Sequence, residues 1–175
     1  MPPRNTATPL PAGGYCECVR EVEVVGVRVE VPSNQPIVLL REAAGERYLP
    51  IWIGAVEATA IAFAQQGVVP PRPLTHDLLK DVLDATGNAL TEVRITEVND
   101  GIFYATLVLA SGVEVSARPS DSIALALRTG SRIVCAEDIL DDAGIAVPDE
   151  REEEVEKFRE FLDHVTPEDF ERPSG

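Results

Sequence analysis

Two short stretches of the chain place an arginine, a proline, a hydroxyl and an acid in the same order. One is Arg72-Pro73-Leu74-Thr75-His76-Asp77, the other Arg118-Pro119-Ser120-Asp121. In each, the hydroxyl is a good helix N-cap, and the acid falls in the first turn, where the helix dipole favours a carboxylate. The spacing predicts Thr75 and Ser120 as N-caps. It puts His76 and Asp77 at the first two positions of one helix and Asp121 at the first position of another. Leu74 and Leu79 fit a hydrophobic staple around the first cap. Two helix N-termini with an arginine beside each suit an anion. The carboxylates oppose that unless a divalent ion sits between them and a phosphate. A neutral His76 can bind a metal ion or act as a general base. The same signals also serve as plain helix caps, and spacing alone leaves both uses open.

Glu57 is the third candidate. It is the one charge in Ala55–Gln66, among Val56, Ala58, Ala60 and Ile61. A carboxylate there needs a partner, since burying an unpaired charge is costly. Arg72 and Arg118 are the available arginines, and a structural ion pair competes with a functional role. His164 falls on a charged stretch and reads as solvated. Trp52, in Leu49-Pro50-Ile51-Trp52-Ile53-Gly54, reads as a core residue.

The elements that must position these residues follow from periodicity. Residues 18–31 alternate apolar and polar as a strand with one buried face, and Gly26 suggests a bulge. Residues 37–53 read as a hairpin. Residues 55–66 form a small, apolar helix, expected to be central and closely packed, that ends at Gly67. Residues 75–86 form a second helix with Leu78, Leu79, Val82 and Leu83 as its buried stripe. Residues 90–117 read as three antiparallel strands turning at Asn99-Asp100-Gly101 and Ser111-Gly112. A helix over 120–128, a short strand and a short helix follow, and then a linker from Ile145. Val155, Phe158, Phe161, Leu162 and Val165 stripe a charged last helix. The order predicts an α+β fold with a mixed, mostly antiparallel sheet packed with helices, plus a C-terminal acidic amphipathic helix. Residues 1–16 read as a disordered leader, 17–146 as the domain and 147–175 as the acidic helical tail.

Composition narrows the function. The net charge is −15 over 175 residues. Residues 137–175 carry 15 acids against four bases, and residues 1–136 are only mildly acidic, at −4. This excludes a protein that grips nucleic acid by charge alone, so any such contact is local, weak or metal-assisted. No secretory signal and no membrane-length apolar run is visible. Cys16, Cys18 and Cys135 are odd in number, which fits reduced thiols and a cytoplasmic location. Cys16 and Cys18 without a nearby histidine make a poor metal site.

The segments LPIWIGAVEATAIA, RPLTHDLL, DGIFYATL and ARPSDSIALALR together resemble the bifunctional nuclease domain of bacteria and plants. The resemblance spans about residues 18–145. It implies an α+β fold, associating subunits in a homo-oligomer, and hydrolysis of both RNA and DNA. The family's recurrent polar positions match Glu57, Arg72, Thr75, His76, Asp77, Arg118, Ser120 and Asp121. Ser116 departs from it, where many relatives carry an acid two residues before the Arg-Pro pair.

Two readings result. In the first, a nuclease, Asp77, Asp121 and Glu57 hold Mg²⁺ or Mn²⁺ and His76 activates water. Arg72 and Arg118, with Thr75 and Ser120 at the helix starts, bind phosphate. This reading requires the three motifs to converge. In the second, a non-catalytic oligomeric regulatory or binding module, Glu57, Asp77 and Asp121 are each neutralised by an arginine.

Overall fold

A computed structural model describes residues 18–31 and 33–146. In chain order the elements are β1 (Val19–Glu30), β2 (Gln35–Glu42), β3 (Arg47–Trp52), α1 (Ala55–Gln65), α2 (Thr75–Ala85) and β4 (Leu90–Asn99). Then come β5 (Ile102–Leu109), β6 (Glu114–Ala117), α3 (Pro119–Thr129), β7 (Arg132–Ala136), α4 (Glu137–Ala143) and β8 (Ile145–Ala146). The eight strands make one sheet in the order β6-β5-β4-β7-β1-β2-β3-β8. Every neighbouring pair is antiparallel except β4 with β7. The fold is therefore α+β with a mixed, mostly antiparallel sheet, as the sequence predicts.

Period-two alternation gives the sheet one covered face. Val22 pairs with Ile133, Leu40 with Leu49, Val38 with Ile51, and Val93 with both Leu107 and Ile133. All of these are buried in one continuous core. Both predicted turns form. Asp100 and Gly101 have φ of 50° and 78°, the two left-handed residues of a type I′ hairpin turn. The β1–β2 register shifts between Val24 and Gly26, so the expected bulge is present.

The helices depart from expectation in ways that matter for the site. The central helix is α3, not α1. Seven α3 residues are buried, including Ile123, Ala124, Leu125 and Ala126, whereas α1 buries Ala58, Ala60 and Ile61 and leaves Val56 exposed. Each fully buried Ile or Leu contributes on the order of 1.5–3 kcal/mol, so α3 is the fixed element against which the others sit. By contrast, α2 buries no residue. Leu78, Leu79 and Val82 are exposed, and of its predicted stripe only Leu83 packs on the core. The amphipathic pattern is real, but among the described residues nothing covers most of it.

Three smaller corrections follow. Trp52 is exposed, because Leu49 and Ile51 take the covered face and the next residue must point away. Only Val22 of β1 is fully buried, while Val19, Val25 and Val29 are exposed. Residues 145–146 are not linker but pair with Arg47 and Tyr48 of β3. Cys135 is buried, and burial together with Asp138 pushes its thiol up to about 12, which makes it an inert core residue. Cys16, His164, the leader and the acidic tail helix lie outside the described residues.

Candidate functional site

The two Arg-Pro motifs start helices, with caps that differ from those predicted. α3 begins at Pro119, with Arg118 as the extended N-cap at φ −74° and ψ 142°. Proline's fixed φ suits the first helical position, which moves Ser120 and Asp121 to the second and third. Ser120 is buried there. α2 begins at Thr75 with Leu74 as its N-cap. Asp77, third in the helix, accepts the Leu74 N–H at 2.8 Å. That is the acid half of a capping box. Thr75 and Ser120 are thus first-turn residues, not caps.

Three segments distant in sequence meet at Arg118. His76 Nε2 lies 3.1 Å from Asp121 Oδ1. Asp121 Oδ2 accepts from Arg118 Nε at 2.7 Å. Arg118 Nη2 donates to Glu57 Oε1 at 2.9 Å, from the first turn of α1. The side chain of Glu57 is 16% exposed and that of Arg118 66%, so the recessed carboxylate steadies an outward-facing cation. Burial alone would raise the Asp121 carboxyl. The Arg118 guanidinium and the His76 ring outweigh it and hold that carboxyl below its usual range. Asp121 and then Glu57 raise Arg118 above its ordinary value.

Asp77 and Arg72 stand apart from this cluster. Asp77 Oδ1 accepts from Arg128 Nε at 2.5 Å. Arg128, near the end of α3, also donates to the carbonyls of Ala60 (3.1 Å) and Ala124 (2.8 Å). Burial would raise Asp77, but Arg128 and the Leu74 N–H hold it low. Sequence reasoning missed Arg128. Its signal is a lone cation directly after the apolar run Ile123–Leu127. Arg72 is exposed, and no hydrogen bond or ion pair to it occurs among the described residues. Its expected place beside Glu57 is taken by Arg118.

The donor set does not fit the expected divalent ion. Glu57, Asp77 and Asp121 do not assemble as three ligands. Two of them share Arg118, and the third faces Arg128. Among the described residues no group of three His, Cys, Asp or Glu side chains is placed to hold a metal. Chemically, the cluster can orient an imidazole through a carboxylate and present a guanidinium to an anion. Arg118 has five N–H donors. Two serve the carboxylates, and three are left for a ligand.

Residues 38–148 match the bifunctional nuclease domain, and the chain belongs to that family. It is 58% identical over 159 residues to the uncharacterized protein Rv1829 of Mycobacterium tuberculosis, covering 86% of this chain and 97% of that one. It is 28% identical over 123 residues to bifunctional nuclease 1 of Oryza sativa subsp. indica, covering 66% of this chain and 37% of the rice protein. A bifunctional nuclease of Oryza minuta matches to the same extent. No helix among the described residues is long and apolar enough to cross a membrane.

Proposed function

We propose that the chain hydrolyses phosphodiester bonds in RNA and DNA at the His76–Asp121–Arg118 cluster. The observation that carries this reading is Asp121 bridging the other two, one oxygen to the imidazole and one to the guanidinium. With its Nε2 proton donated to Asp121, His76 has Nδ1 as the free acceptor. Nδ1 takes the proton of a water whose oxygen attacks phosphorus, and the leaving sugar oxygen, in line on the opposite side, takes its proton from solvent. Arg118 binds the phosphate and offsets the charge that builds on its oxygens. Glu57 positions Arg118. No step runs through a metal, and admitting Mg²⁺ or Mn²⁺ would require Arg118 to release Glu57 and Asp121.

The test is cleavage of labelled single-stranded RNA and DNA in Mg²⁺, in Mn²⁺ and in EDTA, with His76→Ala and Arg118→Ala purified identically. Cleavage that survives EDTA and falls at least about a hundredfold in His76→Ala supports the reading. Equal cleavage by His76→Ala would sink it. Cleavage by wild type that needs the ion would return the carboxylates to metal binding.

A second reading, a self-associating module without catalysis, draws on a different observation. Leu74, Leu78, Leu79 and Val82 expose an apolar strip along α2, and all three acids have arginine partners. Its test is light scattering on wild type and Leu78→Glu. A shift to smaller mass in the variant, with no cleavage by wild type, would favour it.

A further inference from the structure

Beside Arg118 lies a cavity of about 510 Å³ with no α2 residue in its lining. Trp52, Ile102 and Phe103 contribute its aromatic and apolar wall, and Arg118 and Ser120 contribute its polar end. The volume is within the roughly 300–1,000 Å³ typical of small-ligand sites. Three features of this cavity are unexplained by the cluster at His76.

The first is Trp52. Its side chain is no part of the core, yet its indole is fixed, with Nε1 donating to Glu30 Oε2 at 3.1 Å. Glu30 is itself steadied by the Ser33 hydroxyl at 2.9 Å. The ring is thus held by its edge while about half of its residue surface stays open, at 52% exposed. A solvent-facing indole with a dedicated anchor is a platform for stacking. The second is the hairpin tip. Ile102, at 60% exposed, and the half-buried Phe103 follow the Asp100-Gly101 turn and come to the same cavity. The third is the start of α3. Pro119 has no N–H, and the first intrahelical bond is Ser122 N–H to Arg118 O at 3.1 Å. The N–H of Ser120, which lines the cavity's polar end, therefore has no intrahelical partner.

We propose that this cavity is a nucleobase subsite. An unpaired base lodges against Trp52 and Phe103 while its phosphate meets Arg118 and the first turn of α3. The shared arginine links the subsite to the His76 cluster, so the proposal rests on the nuclease reading for its class of substrate. It adds a preference for single strands, because a paired and stacked base cannot offer its face to Trp52. It also explains how an acidic protein holds a polyanion. Stacking supplies affinity that net charge withholds.

Trp52 is the sole tryptophan of the chain, so its fluorescence reports the subsite directly. Short single-stranded DNA, 2′-O-methyl RNA, an abasic strand of equal charge and a duplex would be titrated into the full chain. Binding is followed by tryptophan emission and by anisotropy of labelled strands. The expected result is saturable quenching by both single strands. Abasic binding should be weaker by about 5- to 140-fold, the 1–3 kcal/mol of a base–aromatic stack. Trp52→Ala should lose as much by anisotropy, and Trp52→Phe should keep most of it. Equal binding of abasic strand or duplex, or an unchanged Trp52→Ala, would overturn the proposal. Cleavage that proceeds without any Trp52 dependence would leave the nuclease standing and remove the subsite. Quenching by single strands without cleavage would do the reverse.

Discussion

Arg128 is the sharpest place to perturb the architecture that delivers His76. Its side chain is only 8% exposed, and it ties together all three helices around the site. It reaches Asp77 of α2, the Ala60 carbonyl of α1 and the Ala124 carbonyl of its own helix. Since α2 buries no residue fully and only Leu83 of its apolar stripe packs on the core, its placement depends largely on this tie and on the His76–Asp121 contact. Removing one partner of a buried pair costs about 3–5 kcal/mol. The Asp77 side chain is 26% exposed and retains the Leu74 N–H, so water recovers part of that. Arg128→Ala should therefore cost about 2–4 kcal/mol, a fall in urea midpoint of about 1–2 M for a slope near 2 kcal/mol/M. Adding Asp77→Ala should restore part of the loss, because it removes the orphaned carboxylate, with a coupling of about 1–3 kcal/mol. Urea unfolding of wild type, both single variants and the double variant measures every term. A loss under about 0.5 kcal/mol in Arg128→Ala, or strict additivity in the double variant, would refute the reasoning.

Two further outcomes are expected. Asp77, Asp121 and Glu42 are all held below their usual carboxyl range, Glu42 first by its hydrogen bonds from Arg47. A lowered folded value means that stability is present above the unfolded value and is lost as pH falls through the folded one. The urea midpoint should thus be nearly flat from about pH 5 to 7 and drop below about pH 4. A midpoint that holds down to pH 2 would contradict the pairings. At Gly54 an added Cβ would overlap the Glu57 carboxylate, so Gly54→Ala should push Glu57 away from Arg118. Stability should change by less than about 1 kcal/mol, since a flexible side chain can shift. Cleavage should fall about ten- to a hundredfold as Arg118 loses its support. Wild-type rates in that variant would show that Glu57 does not position Arg118.

The sheet was legible because its signals are local. Asn99-Asp100-Gly101 can hardly be anything but a tight hairpin turn, and period two in β2 and β3 names the buried residues. Trp52 was readable by the same rule, since buried Leu49 and Ile51 send it to the other face. Side-chain preference, with a staple at Leu74 and Leu79, points to Ser120 and Thr75 as caps, but Arg118 and Leu74 take those places. Pro119 fixes the first helical position more firmly than any hydroxyl marks a cap. The apolar stripe of α2 was visible as a pattern, but whether anything covers it depends on tertiary placement, which periodicity does not encode. The site was half legible. Glu57, His76, Arg118 and Asp121 converge as the motifs suggested. Asp77 turns the other way because Arg128, fifty-one residues on, claims it, and Arg72, named by motif symmetry and by the resemblance, has no side-chain partner among the described residues.

β1 has a consequence for how the chain comes to be folded. It lies mid-sheet, with β7 on one side and β2 on the other, yet the matched family segment begins only at residue 38. A fragment cut at that boundary would leave β7 and β2 as bare edges, open to pairing with other chains. With β1 present, it emerges from the ribosome before β7 and waits for it. The Arg20–Glu137 tie that closes this seam joins residues 117 apart. At about 5–20 residues per second, that wait is about 6–23 s. During it, Val22 has β2 beside it but not yet Ile133, so the early hairpin is the species most in need of protection during synthesis.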